Sequence, residues 1–372
     1  MFTSVSFRER VVELEQLALS WASEIGRGSR RPLRARSLPS LAMASLQTND
    51  GVSIHYVTRG SPIPNTPIPP VVLVHGWSGS HRYFDNSIDL LAEKTGGYVI
   101  AIDLRFHGDS EKPEYGFHVA RLAADLKDVM DNLQLAQFQM PPVLVGTSLG
   151  CAILWSYVEL YGDSTIGKMV FVDQAPSQWT FSDWSYGSKG IYDAASLANI
   201  QNVVKSDMKA FAAGNAECCL TKPVADDLME VLTAETLKCN PEHLAKLMAD
   251  HAQLDWRPTL PRITKPCLNL YGTLSGCFPV EGTQAVGELI PDCKNVVFEG
   301  CNHWLYLEEP ERFATVVAEF VLAPRPTTAS KAVKTYTDHV RPSTPRQAYD
   351  ASSSGYLAAK AKNRGSFAFG LS

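Results

Sequence analysis

Residues 51–58 (GVSIHYVT) alternate between polar and apolar side chains, the period of a strand with one face buried. Six later segments are short apolar runs without alternation: 71–74 (VVLV), 98–103 (YVIAID), 143–145 (VLV), 169–173 (MVFVD), 267–272 (CLNLYG) and 295–298 (NVVF). Runs of this kind suit strands covered on both faces of a parallel sheet. Between them, apolar residues recur at three- and four-residue spacing around 82–93, 118–132, 149–161, 281–289 and 310–321, which predicts helices. Strands alternating with helices predict the α/β class: a doubly wound, mostly parallel sheet. The stretch from Pro176 to Pro258 breaks the rhythm, with several helical patterns and no strand. Residues 177–257 therefore read as an inserted helical cap over the strand ends, where open α/β sheets bind ligands. The core is left as 47–176 and 258–321.

The flanks differ in composition. Residues 1–46 hold seven Arg and four Glu, and residues 322–372 hold eight Lys/Arg and two Asp, so the body carries −14 of the net −5. An acidic body with basic ends does not suit nucleic-acid binding, which concentrates Lys and Arg on the folded part. Phe7, Val11, Leu14, Leu17 and Trp21 predict a short amphipathic helix in an otherwise partly disordered extension. Its Arg- and Ser-containing second half resembles an organellar transit peptide, but Glu9, Glu13, Glu15 and Glu24 do not. Met43 reads as an alternative domain start. Beyond Phe320 the chain turns to Pro, Thr, Ser, Ala and Lys and is expected to be a disordered tail. No run approaches the roughly 18 apolar residues of a membrane span. The eight cysteines include no CxxC pair and no Cys/His set at metal-ligand spacing. They read as reduced thiols of a cytoplasmic protein needing neither metal nor cofactor, with the vicinal pair Cys218–Cys219 as a redox alternative.

Gly146-Thr147-Ser148-Leu149-Gly150 follows an apolar strand and precedes a helix. G-x-S-x-G in that setting is a nucleophile elbow: the serine sits on a strained turn, and glycines two residues either side avoid collisions across it. A serine needs a base. His303, in a loop directly after the last strand (EGCNHW), is placed for that role, whereas His243, His251 and His339 read as core or surface histidines. An oxyanion hole would come from the backbone N–H groups of Trp77, in the His75-Gly76-Trp77 loop, and of Leu149.

These motifs, with DLRFHGDS (103–110), resemble the α/β-hydrolase fold superfamily over about residues 47–321. The HGW loop and Asp255-Trp256-Arg257-Pro258 are similar to its cofactor-free (non-haem) chloroperoxidase and arylesterase branch. The resemblance implies hydrolysis of small esters, with peracid formation in some members. Phe106 stands where the family has glycine. The family's usual acid position, three residues after the glycine ending the penultimate strand, is Ser275, which cannot remain anionic beside an imidazolium. The end of the preceding strand is the other place the fold accepts an acid, and there stands Asp173. Neighbouring strands lie about 4.8 Å apart, so either tip reaches the same imidazole. Glu281 is a distant second candidate.

The expectation is a serine hydrolase that cleaves a small, apolar carboxylic ester through an acyl-enzyme on Ser148, with Asp173 and His303. Trp179, Phe181, Trp184, Tyr186 and Tyr192 either line its pocket or pack the cap. The alternatives are a cofactor-free dioxygenase or perhydrolase on the same fold, and a catalytically weak ligand-binding protein. Oligomeric state is left open.

Overall fold

The computed structural model describes residues 41–324, all within one compact unit. The helix expected at Phe7–Trp21 and the tail beyond Pro324 lie outside the described residues. Eight strands form one sheet: β1 (Ala42–Gln47), β2 (Ser53–Arg59), β3 (Val71–Val74), β4 (Val99–Ile102), β5 (Val143–Thr147), β6 (Lys168–Val172), β7 (Cys267–Gly272) and β8 (Cys293–Phe298). Their order is β1-β2-β4-β3-β5-β6-β7-β8, with the β1–β2 and β2–β4 pairs antiparallel and every other pair parallel.

The apolar runs become strands because each residue meets a core on its own side. Val72 and Val74 of β3 face one apolar cluster and Val71 and Leu73 face the other, following the two-residue period of a strand. On the first side lie α2 (Val119–Asn132) and α3 (Leu149–Tyr161). On the second lie α1 (Asp85–Thr95) and, at the C-terminal end of the described chain, α10 (Pro310–Leu322).

The extension boundary at residue 46 is corrected by β1, which pairs with β2 from Ala42↔Thr58 to Gln47↔Ser53. Its six side chains are exposed but for one half-buried residue, so it is held by backbone pairing and carries no hydrophobic signal.

Between β6 and β7 run α4 (Ala194–Ser206), α5 (Met208–Cys219), α6 (Asp226–Leu237) and α7 (Pro241–Gln253). They enclose a separate cluster including Ile200, Val204, Phe211, Leu244 and Met248. Good caps start them: the Asp193 side chain accepts from Ser196 N, and Asn240 accepts from Glu242 N with Pro241 next. The excursion closes on itself, since Ser177 bridges Asp255 and Trp256 N donates to Pro176 O at 2.9 Å. After β7 come α8 (Val280–Leu289) and, beyond β8, the short α9 (Leu305–Glu308). No helix among the described residues is long and apolar enough to cross a membrane.

Candidate active site

Ser148 joins β5 to α3 with φ 53° and ψ −121°, a conformation most residues avoid. The strain is held by backbone: Ser148 N donates to Val172 O at 3.0 Å, and Cys151 N donates to Ser148 O at 2.8 Å. The flanking glycines are required by close crossing. A Cβ on Gly150 would lie 2.3 Å from Val74 O, and one on Gly146 would lie 2.6 Å from the Gly150 backbone.

The loop after β3 passes directly over the serine, so that a Cβ on Gly76 would meet the Ser148 Cβ at 3.0 Å. This brings the backbone of Trp77 beside the elbow, while Leu149 opens α3 with an N–H that its own helix cannot satisfy. Among the described residues neither amide donates to a backbone carbonyl. The Trp77 indole points the other way. Its Nε1 donates to Leu244 O at 3.1 Å and its ring meets Phe211 edge-on at 5.3 Å, so it joins the loop to the helices above the sheet.

Asp173 follows β6, fully buried, with φ 47° and its N–H bonded to Leu270 O on β7 at 2.8 Å. Its Oδ2 lies 2.6 Å from His303 Nδ1. Ser275, at the family's usual acid position, donates its hydroxyl to the same oxygen at 2.6 Å. The serine thus supplies a hydrogen bond to the carboxylate where the family pattern supplies the carboxylate itself. Glu281 is exposed in the first turn of α8.

His303 is fixed by its neighbour. Asn302 Oδ1 accepts from His303 N at 2.7 Å and from Gly276 N at 2.6 Å, while Asn302 Nδ2 donates to Cys218 O at 2.9 Å. Asn302 therefore ties the histidine loop to the 275–278 loop and to the end of α5. Burial raises the Asp173 carboxyl, and its hydrogen bonds to His303 and Ser275 offset this only in part. Burial also disfavours the charged imidazolium of His303, but the Cys277 thiol and the Asp173 carboxylate outweigh it, and the group titrates above its ordinary value.

A cavity of about 50 Å³ brings Gly76, Trp77, Ser148 and His303 together. Tyr83, Ile191, Ile200, Met248, Phe278 and Trp304 give it a largely apolar wall. Of the two roles open to Trp179, Phe181, Trp184, Tyr186 and Tyr192, lining the cavity is the one not taken. Arg257 is buried, paired with Asp255 and Asp183, and lies 5.6 Å from the Phe181 ring and 5.4 Å from the Trp184 ring. A guanidinium stacks on aromatic faces, and here it draws both rings away from the cavity. Tyr186 packs edge-on against Trp184, and Trp179 joins the helical cluster.

Of the other buried histidines, His251 also lines the cavity, and the rest hold structure. His75 accepts from Leu104 N through Nε2 at 3.0 Å and contacts Gly76 O through Nδ1 at 2.7 Å, and burial pushes it down to about 4. His251 meets Gln178 at 2.8 Å and is likewise pushed down to about 4 by burial, while His243 packs on Phe106 and Phe117. His55, His81, Asp103 and Asp109 gather ligand-type atoms within 4.8 Å of one another. Donors already occupy the Asp103 carboxylate: His81 N at 2.6 Å, Asp109 N at 2.9 Å and the two imidazoles at 3.0–3.1 Å. The cluster pins the 103–110 turn, where Phe106 takes the left-handed φ of 74° that glycine would tolerate and stacks on Phe117 at 4.7 Å.

The sheet order, the serine elbow after β5 and the histidine after β8 define a protein of the α/β-hydrolase fold. A family model described as alpha/beta hydrolase fold matches residues 69–196. The chain resembles the AB hydrolase superfamily protein YisY of Bacillus subtilis, 25% identical over 68% of this chain and 91% of that one. It also resembles a pimeloyl-[acyl-carrier protein] methyl ester esterase of Vibrio atlanticus, 24% identical over 68% of this chain and 94% of that one. Among solved structures, bromoperoxidase from Bacillus anthracis superposes with a TM-score of 0.68 at 24% identity, covering 76% of this chain and all of that one. A putative non-heme chloroperoxidase of Synechocystis sp., 26% identical over 58% of this chain and 77% of that one, agrees with the branch suggested by the HGW and DWRP segments.

Proposed function

We propose that the protein is a serine hydrolase of small, apolar carboxylic esters. The observation that carries the reading is the 2.6 Å contact between Asp173 Oδ2 and His303 Nδ1, with His303 and Ser148 on one cavity. In this reading Asp173 keeps the hydrogen on Nδ1, leaving Nε2 to accept the proton of Ser148 as its oxygen attacks the ester carbonyl. The amides of Trp77 and Leu149 receive the developing oxyanion. His303 then protonates the departing alcohol, and water, deprotonated by the same imidazole, releases the acid from Ser148. The small apolar cavity favours short acyl groups. Loops at the strand ends of the sheet, 47–176 with 258–321, supply the chemistry, and the wall comes from both parts: Tyr83, Phe278 and Trp304 from the sheet's loops, and Ile191, Ile200 and Met248 from the 177–257 insertion. The eight cysteines are thiols, which suits the reducing cytoplasm.

The test is labelling by a fluorophosphonate, followed by hydrolysis of nitrophenyl esters of graded acyl length. Labelling at Ser148 and highest turnover on the shortest acyl chains are expected. A wild-type protein that neither labels nor hydrolyses any ester of the series, yet binds small apolar ligands, would instead be a receptor on this fold.

A further inference from the structure

Two thiols face each other in the cavity wall. Cys219 ends α5, and Cys277 lies in the loop after β7, two residues beyond Ser275. Their Sγ atoms are 3.9 Å apart, and both residues line the cavity that holds Ser148 and His303. Cys277 is also hydrogen-bonded to His303. The surroundings bind both segments to the histidine loop, because Trp304 N donates to Cys219 O at 3.1 Å and Gly276 N to Asn302 Oδ1 at 2.6 Å. Outside the cavity, burial in apolar surroundings pushes Cys151 and Cys239 well up, which keeps them protonated and inert, while Cys267 pairs in register with Cys293 and Cys301 accepts from Lys222 Nζ at 3.2 Å.

We infer that Cys219 and Cys277 form a peroxide-oxidisable modification site in the cavity wall, and that joining them as a disulfide switches the active site off. A disulfide needs the sulfurs at about 2.05 Å, an approach of about 2 Å from where they stand. Hydrogen peroxide is the oxidant and is small enough to enter. His303 takes the Cys277 proton, and the thiolate attacks one peroxide oxygen. The S–O bond forms as the O–O bond breaks, and the departing hydroxide takes that proton to become water. Cys219 then loses its proton and attacks the sulfenic sulfur. The S–S bond forms as the S–O bond breaks, and a second water leaves. The two thiols have given up two electrons and peroxide has been reduced to water. The cross-link draws the 275–278 loop toward α5, and with it the Ser275 hydroxyl that holds Asp173. The cross-link stands on geometry alone, whereas its effect on turnover rests on His303 being the base.

The full-length protein is titrated with hydrogen peroxide, then followed by intact mass, non-reducing peptide mapping and fluorophosphonate labelling. The expected result is a loss of about 2 Da and one cross-linked peptide joining Cys219 to Cys277. Displacing catalytic groups by about 1 Å costs about 100-fold, so labelling slows by that order and recovers with dithiothreitol. In Cys219→Ser the cross-link is absent, Cys277 proceeds to sulfinic acid, and dithiothreitol no longer restores labelling; Cys219→Ala repeats this with a different side chain. A cross-link to Cys218, or oxidation of both thiols without one, overturns the site. A fully cross-linked protein that labels at the untreated rate overturns the switch. An untreated protein that never labels rejects the serine-hydrolase reading and the switch with it, while the mass map still decides the cross-link.

Discussion

Replacing Asp173 with Asn keeps the shape of the side chain and removes its charge. In the wild type the buried carboxylate accepts from His303 Nδ1 at 2.6 Å. The amide of Asn can donate there instead, which turns the imidazole so that Nε2 carries the hydrogen and cannot accept the serine proton. In serine proteases the equivalent exchange lowers turnover by about 10⁴, or about 5.4 kcal/mol at about 1.36 kcal/mol per tenfold. The same order of loss in kcat is expected here, with little change in KM. The structure also gives the rescue. Ser275 Oγ lies 2.6 Å from Asp173 Oδ2, so it is within twice that distance of the imidazole nitrogen. An Asp at 275 reaches about 1.2 Å further than serine. Ser275→Asp in the Asp173→Asn background should therefore recover about 10- to 100-fold of the loss, each tenfold being about 1.36 kcal/mol. Ser275→Asp alone puts two carboxylates in contact, which share a proton and shift the pH profile. The assay is steady-state hydrolysis of a short-chain nitrophenyl ester, with circular dichroism confirming that each variant is folded. Asp173→Asn hydrolysing within tenfold of wild type would refute the reasoning and leave a Ser–His dyad.

Three further outcomes are expected. Because His303 titrates above its ordinary value, the imidazolium persists to higher pH; kcat/KM should rise with pH through an acid limb above 6.5, and a limb below 6 contradicts that environment. Trp77→Ala removes the indole between the loop and α7 but leaves the backbone amide, so acyl-chain preference and melting temperature should change while the loss on the best substrate stays well short of that of Ser148→Ala; an equal loss on every ester would give the indole a part in the chemistry. A chain of residues 41–324 should melt cooperatively and keep activity, whereas one starting at residue 48 loses β1, exposes the edge of β2 and melts at a lower temperature; equal melting temperatures would make β1 dispensable.

The parts of the chain that were legible in sequence are those where burial imposes a repeating pattern. β2 follows from its alternation and β3 to β8 from apolar runs, and the serine elbow follows from glycines that a crossing backbone demands. β1 was not legible, because its pairing engages backbone groups that every residue carries and its side chains face solvent. The contact of Asp173 with His303 could be reasoned from strand spacing once Ser275 stood in the usual acid position, but the hydroxyl's own bond to Asp173 Oδ2 could not, since nothing in a sequence fixes where a serine donates. Asn302 carried one weak signal, its place directly before the histidine. Cys277 gave none, because its closeness to Cys219 arises between segments 58 residues apart. The choice open to the aromatics after Pro176, cavity or cap packing, was not settled by sequence for a related reason: Arg257, which lies over Phe181 and Trp184, comes some 70 residues later, and composition does not say which of two apolar surfaces a ring will choose.

The place where the four-helix excursion leaves the sheet is also the place where it returns. Ser177 pairs with Asp255, and Trp256 N closes on Pro176 O. A segment whose ends are stapled together leaves and rejoins the sheet through one narrow neck, and its further ties to the sheet include the contacts of α5 and α7 with the histidine and Trp77 loops. Away from such ties its side chains can vary without moving Ser148 and Asp173, which follow β5 and β6 and draw their register from the sheet beneath. Changes at Ile200 or Met248 can thus reshape one side of the cavity wall, while Tyr83, Phe278 and Trp304 keep the other side as the sheet sets it.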